Sequence, residues 1–509
     1  MWEHEGNSAM RLDKSSLEKA MKQAESYDQW AGYAKLHDEV TGKDKWRRFE
    51  QSERYDFAAI RSRLNELRLL RERADNHELL FALHEGIHGN LGGMGKPSMF
   101  SHAKFGTKNL IEDYIEELAL ALEHLASPAA DDIDLNERIE FFHRASDCFG
   151  HAAFMMSGSG SLLFFHIGVV KCLLEQDLLP RVISGSSGGA IVSALIGSRT
   201  REDALKLLCA EKLFALGDAL PSINPEAGSR MLMPPEELDE YINAGIPDLT
   251  FDEAMKVSGR EISLSIAPAE PRQSSRLLNA ITTPNVYLRE AAKASAALPG
   301  VYPPVVLAAK NVQGMRQPYL PGSRWVDGSL SQDLPAKRLT RLYGVNYFIV
   351  SQTNPVAMPF VNTDKGTGTL RSKLFDINLQ GFKLASNAWF NILERPLSLA
   401  SKQLYNMAKT ANGVIQQNYT GDINIVPASR VLNPFSALSQ PSLDRAAKLI
   451  LEGERATWPL VERIRTTTRI SRLLETIIAD LEAERASLGR TRRKQVAAST
   501  KARLKAANG

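Results

Sequence analysis

One stretch of this sequence places a serine in a setting that suits a nucleophile. Residues 182–192 read VISGSSGGAIV, an apolar run typical of a strand, then a glycine-flanked turn, then an apolar run typical of a helix. Gly185, Ser187 and Gly189 fill the pattern G-x-S-x-G, in which a serine stands at the tip of a tight strand-to-helix turn. The N–H groups at the start of that helix can stabilise an oxyanion. The pattern predicts Ser187 as a nucleophile, and the alternative is an ordinary glycine-rich turn.

The general base that Ser187 needs cannot be a histidine placed as in α/β-hydrolases. Those enzymes have a histidine after the nucleophile, whereas all ten histidines of this chain precede Ser187. A carboxylate within hydrogen-bond reach can serve instead. Asp327 is the best candidate because it ends a short predicted strand, where catalytic groups of α/β sheets collect, and Gly328 lets the chain turn away. Asp422 is a rival, but it precedes its predicted strand.

A Gly/Ser-rich loop upstream of the serine is the third candidate feature. The sequence from Met156 to Leu163 reads MSGSGSLL and separates a predicted strand from an apolar predicted helix. Leu163 occupies the third glycine position of the dinucleotide fingerprint, and no Gly-Lys-Ser/Thr follows as in a P-loop. Because successive backbone N–H groups in such a loop bind anions, we expect an oxyanion hole here. Its residues are Gly158, Ser159, Gly160 and Ser161.

Along the chain the Gly/Ser loop comes first, the G-x-S-x-G turn second and Asp327-Gly328 third. In this order the three motifs resemble those of the patatin-like phospholipases and lipases. The segment Ala294–Gly300, ASAALPG, is similar to the family's Ala-Ser-x-Ala-x-Pro stretch. Within the family the likeness is strongest to the fungal and plant lipid-droplet triacylglycerol lipases, which have an extra N-terminal helical domain of unknown function. The shared segments are Phe165–Gly168 (FHIG), Val182–Ser187 and Trp325–Ser329 (WVDGS). The resemblance extends from Trp30 to Ile464.

The resemblance implies a serine acyl-ester hydrolase of lipids. It implies a Ser187–Asp327 dyad that works without a histidine and without a metal or organic cofactor. Triacylglycerol is the expected substrate, and phospholipase A or lysophospholipase activity on glycerophospholipid is the next choice. Peripheral contact with a lipid droplet or membrane surface is expected as well. The sequence does not indicate an oligomeric state.

The loop departs from the family pattern at Ser159 and Leu163, where the relatives usually have glycine. If Ser159 has a positive φ, serine is strained there, and the alternative function is a catalytically weak lipid-surface binding protein. If φ is negative, we expect the Ser159 hydroxyl itself to donate to the oxyanion.

A second motif points to a different class of enzyme. Residues 84–88 read HEGIH, the pattern H-E-x-x-H in which two histidines on one helical face bind zinc. A zinc peptidase at His84 and His88 is therefore the least favoured alternative. Gly86 weakens the helix, and further glycines follow within a few residues, so chance spacing is the preferred interpretation.

Composition suits a globular protein inside the cell, with 43% hydrophobic residues and a net charge of +3. The first residues lack the apolar core of a signal peptide, no apolar run is long enough to span a bilayer, and the three cysteines form no disulfide or metal pattern. We expect a cytoplasmic protein or one bound peripherally to a membrane or lipid droplet. The segment Arg490–Gly509 holds seven Lys/Arg and no acidic residue, and we expect it to be disordered. No nucleic-acid partner is expected, because no nucleic-acid module accompanies it.

Alternating strand and helix patterns, together with the resemblance, predict an α/β fold. We expect a patatin-like sheet covered by helices on both faces, with an N-terminal helical domain and a C-terminal helical extension. The predicted parts are an N-terminal domain at 1–130, a catalytic α/β domain at 149–355, a helical region at 356–489 that completes or covers it, and the basic tail at 490–509. Within the helical region, an apolar stripe either packs in the core or lies in a lipid surface. Its residues are Phe375, Leu379, Phe382, Trp389 and Leu393.

Overall fold

The computed structural model describes residues 13–87, 89–216, 233–270, 273–355, 357–358, 361, 420–428, 439 and 441–507. Side chains are described as far as residue 490, except at 330 and 331. His88 and the apolar stripe at 375–393 lie outside the described residues.

Helices supply most of the regular structure. They are α1 Lys14–Gln23, α2 Tyr27–Val40, α3 Lys43–Arg48, α4 Phe57–Glu72, α5 Asn76–Glu85, α6 Pro97–Phe100, α7 Asn109–Ala126, α8 Leu135–Phe149, α9 Leu163–Glu175, α10 Gly188–Gly197, α11 Arg201–Leu207, α12 Ala210–Ala215, α13 Pro235–Gly245, α14 Phe251–Ser258, α15 Leu288–Ala296, α16 Ser329–Gln332, α17 Ala336–Tyr343, α18 Leu443–Thr457 and α19 Val461–Ala507. The strands are β1 His151–Met156, β2 Val182–Gly185, β3 Glu261–Pro268, β4 Arg276–Asn279, β5 Ala308–Lys310, β6 Arg316–Pro318, β7 Trp325–Asp327, β8 Val345–Ser351 and β9 Ile423–Ile425.

The chain forms two compact units. The first contains residues 1–44, 100–106 and 152–464, and the second contains residues 45–99, 107–151 and 465–509. The N-terminal part of the sequence therefore contributes helices to both units. The domain boundaries that we predicted from the sequence stay predictions.

A seven-stranded mixed sheet is the framework of the first unit. The strand order is β4-β3-β2-β1-β8-β9, and β7 pairs with β3. Strands β1, β2 and β3 are parallel, whereas β4 and β7 run antiparallel to β3. Because β1 and β2 are parallel neighbours, the loops that follow them leave the sheet at the same edge.

Both faces of this sheet are covered by apolar side chains. Phe154 and Met156 of β1 join a core that includes residues of α2, α9, α10 and α18. The alternate residues Ala153 and Met155 join a second core with Leu339 of α17. The alternation follows from the period of two in a strand. The predicted α/β architecture with helices on both faces is confirmed.

Helices α9 and α18 touch backbone to backbone at two glycines. A Cβ added to Gly168 of α9 would lie 1.8 Å from the carbonyl oxygen of Ile450, and one added to Gly453 of α18 would lie 2.2 Å from that of Phe165. Neither contact is possible for a real Cβ. The two glycines therefore let α18 pack closely against α9. Helix α9 begins directly after the predicted oxyanion loop, so this packing supports the end of the loop.

The second unit is helical. Ile60 and Leu64 of α4 and Leu118 of α7 are fully buried, as is Leu474 of α19. Glu117 of α7 is also buried and accepts hydrogen bonds from two arginines of α4 at 3.0 and 2.7 Å.

The basic segment after residue 490 is helical and not disordered as the sequence analysis expected. It continues α19 to Ala507. Its alanine, lysine, arginine and glutamine residues favour helix, and a helix that already exists is extended without a new nucleation step. None of the described helices combines the length and the apolar character needed to cross a bilayer.

The glycine contact between α9 and α18 gives a testable prediction. Gly168→Ala forces the two backbones apart, so we expect a loss of stability of about 1–3 kcal/mol, the usual cost of overpacking. Gly32→Ala is the matched control, because Gly32 lies in α2 with nothing within 4 Å of an added Cβ. That change should leave the thermal unfolding midpoint unchanged or raise it. A midpoint for Gly168→Ala at or above that of the wild type would contradict the close contact.

Candidate active site

The turn between β2 and α10 holds Ser187 in an uncommon backbone conformation. Ser187 has φ 53° and ψ −124°, one of four non-glycine residues with positive φ among the described residues. It occupies the N-cap position of α10, but its side chain forms no capping hydrogen bond. The hydroxyl is therefore available for another partner. Such strained residues cluster at functional sites, where the surrounding structure holds them.

The two glycines of the predicted elbow are required by close backbone contacts. A Cβ on Gly185 would lie 2.2 Å from the carbonyl oxygen of Gly189, and one on Gly189 would lie 2.6 Å from that of Met156. The first turn of α10 thus packs directly on the ends of β1 and β2. The local geometry matches a nucleophile elbow.

Asp327 and Ser187 meet along one edge of β3. Ile266 of β3 pairs with Arg276 of β4 and with Asp327 of β7, so β4 and β7 occupy opposite edges of β3. Leu264 pairs with both Gly185 of β2 and Leu278 of β4, so β2 shares its edge of β3 with β7. Ser187 lies two residues beyond Gly185 and so reaches the level of Asp327. Because β7 is antiparallel to β3, its carboxyl end faces the carboxyl end of β2 along this edge.

The Asp327 carboxylate is buried and hydrogen-bonded. Its Oδ1 accepts the Ser329 N–H at 2.8 Å, and the Ser187 side chain lies near enough to lower the pKa of this carboxyl. Burial raises the pKa of Asp327 above its usual value, and the hydrogen bonds from Ser329 and Ser187 oppose that rise. Gly328 is required here, since an added Cβ would lie 2.3 Å from the carbonyl oxygen of Ser265 on β3. The structure thus brings a serine hydroxyl and a desolvated carboxylate together.

The Gly/Ser loop after β1 lies beside the start of α10. A Cβ on Gly188 would be 2.1 Å from the Ser159 Oγ and 3.0 Å from the Gly160 carbonyl oxygen. The Gly158 N–H donates to Asp333 Oδ1 at 2.7 Å. Of the four residues predicted for the oxyanion hole, Gly158 therefore already uses its N–H in another hydrogen bond. Within the described residues, no acceptor receives the N–H of Ser159 or of Gly160.

The backbone of the loop excludes the strain that was considered for Ser159. Ser159 has φ −142°, so serine carries no left-handed strain there. The positive φ of the loop, 53°, falls on Gly160, where glycine is the natural residue. Leu163 has φ −54° and begins α9. Neither departure from the family pattern therefore distorts the loop.

A buried serine that we did not predict connects the nucleophile to the sheet. The Ser295 hydroxyl accepts the Ser187 N–H at 3.0 Å and donates to the Ser265 carbonyl oxygen at 2.7 Å. Ser295 lies near the end of α15, inside the segment ASAALPG. The segment was singled out in the sequence, but the role of Ser295 was not predicted. Its hydrogen bonds join positions that are distant in the sequence, and a local pattern does not report such contacts.

His166 is a buried histidine of α9 behind the same loop. Its Nδ1 lies 2.6 Å from the Ser351 Oγ, and its Nε2 lies 3.1 Å from the Ser157 carbonyl oxygen and 3.0 Å from the Thr353 Oγ1. Burial lowers the pKa of His166 to about 4. It is therefore a neutral group that links the end of β1 to the end of β8.

Two other candidates from the sequence lie elsewhere. Asp422 precedes β9, where its carboxylate accepts the Phe348 N–H at 2.8 Å, and β9 runs parallel to β8. It therefore lies at the amino end of its strand. Helix α5 ends at Glu85, and Gly86 has φ 155°, so the helix that H-E-x-x-H requires ends one residue after His84. The described residues contain no cluster of three or more His, Cys, Asp or Glu side chains arranged to hold a metal ion.

Two family models match the chain in succession. Residues 7–147 match a domain of unknown function, DUF3336, and residues 154–340 match the patatin-like phospholipase model. The second match contains the loop after β1, the elbow and Asp327.

Similar proteins are found among fungi. Patatin-like phospholipase domain-containing proteins of Lodderomyces elongisporus and Cryptococcus neoformans are 31% and 32% identical over 91% and 92% of this chain, which span 59% and 55% of their own lengths. A protein of the same description from Emericella nidulans is 30% identical over 94% of this chain and 67% of its own length. The chain thus spans little more than half of the first two relatives. The solved structure of VipD from Legionella pneumophila overlaps with a TM-score of 0.27 at 13% identity, covering 59% of this chain and 67% of that one.

The hydrogen bonds of Ser295 predict its contribution to stability. Ser295→Ala leaves the Ser187 N–H and the Ser265 carbonyl without this partner in a buried place, and we expect a cost of about 1–3 kcal/mol. Ser258→Ala is a matched control, because that half-buried hydroxyl also accepts a backbone N–H and donates to a backbone carbonyl. The midpoint of thermal unfolding should fall clearly further for Ser295→Ala. Equal shifts would show that the buried bridge adds no stability.

Proposed function

This chain belongs to the family of patatin-like phospholipase domain-containing proteins, and on that premise we propose that it is a serine acyl-ester hydrolase of lipids. Ser187 is the nucleophile and Asp327 is the general base. The observation that carries the proposal is the placement of the strained Ser187 and the buried Asp327 carboxylate at the same level of one edge of β3, where Ser187 lowers the pKa of Asp327. A nucleophile within hydrogen-bond reach of its base is the arrangement that acyl transfer needs.

In the first half of the reaction, the Ser187 Oγ attacks the ester carbonyl carbon. Asp327 accepts the hydroxyl proton, and the carbonyl oxygen becomes an oxyanion. The N–H groups of Ser159 and Gly160 are candidates to stabilise that charge, because no described acceptor receives them. The Gly188 N–H at the start of α10, which has no intrahelical partner, is a third candidate. Collapse of the intermediate breaks the ester bond, and the leaving alcohol takes the proton from Asp327.

In the second half, Asp327 activates a water molecule against the acyl-enzyme. Water attacks the acyl carbonyl, its proton passes to Asp327, and the same N–H groups stabilise the second oxyanion. The fatty acid leaves and Ser187 recovers its proton. Ser161 of the loop and the Ser159 hydroxyl lie in the same segment and can contribute further donors. No step requires a metal or organic cofactor.

Triacylglycerol is our preferred substrate, and glycerophospholipid is the second choice. The preference for triacylglycerol comes from the resemblance to the lipid-droplet lipases, whereas the name of the fungal relatives, patatin-like phospholipase domain-containing proteins, supports phospholipid. Because both substrates are held in lipid surfaces, we propose peripheral contact of this protein with a lipid droplet or membrane.

The alternative of a catalytically weak binding protein depended on strain at Ser159. The negative φ of that residue removes the reason for it. We therefore retain the hydrolase as the proposed function.

Removal of the nucleophile tests the proposal directly. Ser187→Ala deletes only the Oγ, so hydrolysis of emulsified triacylglycerol, phospholipid vesicles and a soluble p-nitrophenyl ester should fall to background. A fluorophosphonate probe should label the wild type and not the variant. Ser193→Ala is the control, because its hydroxyl donates to the Gly189 carbonyl within the same helix. More than a few per cent of residual activity in Ser187→Ala would refute the assignment of the nucleophile.

Removal of the base is the companion test. Asp327→Asn keeps the shape of the side chain and removes the proton acceptor, so kcat should fall by at least about 10², within the range for loss of a general base. Asp422→Asn should leave kcat unchanged. Since burial raises the pKa of Asp327, wild-type activity should decline on acidification at a pH above the usual range of an aspartate. If Asp422→Asn were inactive and Asp327→Asn active, the general base would be Asp422 and not Asp327.

A further inference from the structure

A second buried carboxylate lies in the site, and the proposed mechanism does not use it. Asp333 follows α16 directly and is fully buried. It contacts chain segments that follow three different strands of the sheet. A buried carboxylate needs hydrogen bonds or opposite charge to remain ionised, so its partners indicate what it does.

The two carboxylate oxygens of Asp333 have different partners. Oδ1 accepts the Gly158 N–H at 2.7 Å, and Oδ2 accepts the Asn354 Nδ2–H at 2.9 Å. Gly158 follows β1 and begins the loop that we assign to the oxyanion, and Asn354 follows β8. The carboxylate therefore joins the loop to a neighbouring strand end.

The backbone of Asp333 makes a third connection. Its carbonyl oxygen accepts the Ser186 hydroxyl at 2.8 Å, and Ser186 precedes the nucleophile in the elbow after β2. One residue thus contacts both the oxyanion loop and the elbow. The distance between those two segments decides whether a substrate carbonyl can meet Ser187 and the loop N–H groups at once.

Resting on the proposed hydrolase function, we infer that Asp333 is a positioning residue, whose ionised carboxylate holds the Gly158 end of the oxyanion loop at its working distance from Ser187. Gly158 is separated from Ser159 and Gly160 by rigid peptide units. A displacement at its N–H therefore moves the next N–H groups. Catalysis is sensitive to shifts of about 1 Å in such groups.

The charge state of Asp333 controls this contact. An ionised carboxylate only accepts hydrogen bonds, so both oxygens suit N–H donors, whereas protonation turns one oxygen into a donor that faces another donor. Burial raises the pKa of Asp333 to about 7, the nearby Asp327 carboxylate also raises it, and the hydrogen bonds from Asn354 and Gly158 oppose the rise. His166, behind the loop, stays neutral above pH 5 because burial lowers its pKa to about 4. The loop contact is therefore at full strength well above pH 7 and weakens as the pH falls through about 7.

Two substitutions of Asp333 separate the loss of its hydrogen-bond acceptors from the loss of its negative charge. Asp333→Leu removes both acceptors, so kcat should fall by about 10²–10³, the usual effect of a misplaced oxyanion donor. KM for a soluble p-nitrophenyl ester should change by less than about threefold, because the loop acts on the transition state. Asp333→Asn keeps one acceptor for Gly158 but, like the protonated acid, places a donor against the Asn354 amide. Its kcat at pH 8 should therefore fall by about tenfold, as in the wild type once Asp333 is protonated.

The pH profile of kcat is the decisive measurement, taken between pH 5 and pH 9. Asp333→Asn removes the titration at this position and the negative charge beside Asp327. The acid limb of its profile, where kcat falls as the pH is lowered, should therefore lie at least about one pH unit below that of the wild type. Asp422→Asn, which removes another carboxylate that accepts a backbone N–H, should leave the limb in place. A lower unfolding midpoint with an unmoved acid limb would show a merely structural role and overturn the inference.

Ser187→Ala is measured in the same assay. If it remains active, the hydrolysis does not occur at this site and the proposed function fails. If it is inactive while Asp333→Leu and Asp333→Asn both behave like the wild type, the function stands and only the role of Asp333 is refuted. If Asp333→Leu does not fold, the pH profile of Asp333→Asn still decides.

Discussion

The close approach of the first turn of α10 to the ends of β1 and β2 is the constraint on which the site depends. Only glycine at 185 and 189 allows it, because a Cβ at Gly189 would lie 2.6 Å from the Met156 carbonyl oxygen. This contact holds Ser187 at a positive φ and brings the loop after β1 next to the start of the helix. Nucleophile and oxyanion donors are thus positioned by the same contact of main-chain atoms.

The electrostatics of the site follow from the same tight packing. Both carboxylates are desolvated, and the hydrogen bonds described for them come from neutral donors, namely backbone N–H groups, hydroxyls and the Asn354 amide. Neutral donors offset only part of the cost of burying a charge. The pKa values of Asp327 and Asp333 are therefore both raised. A base of raised pKa is better matched to proton transfer near neutral pH than an ordinary aspartate.

The sequence predicted the parts of the site that depend on local pattern. The elbow is encoded by glycine spacing within five residues, and the strand and helix that flank it follow from apolar runs. Asp327 was proposed as the base because it ends a short predicted strand, whereas its position beside the elbow depends on the antiparallel pairing of β7 with β3. Strand direction depends on pairing between distant segments, which no local pattern reports. Asp333 and Ser295 were missed as functional neighbours for the same reason, since their partners lie far away in the sequence. The helical state of the basic segment after residue 490 was missed because charge was weighed above helix propensity.

The glycine contact between α9 and α18 has a consequence for the order of folding. The nine strands found among the described residues all precede residue 426, so the sheet that they form can pair before α18 has left the ribosome. At that stage helix α9, which follows the oxyanion loop, does not yet have α18 packed against it. Contacts between segments so distant in sequence form late, because the entropy of closing the intervening chain must be overcome first. Docking of α18 therefore completes the support of the loop, and a nascent chain that ends before residue 443 has the nucleophile without that support.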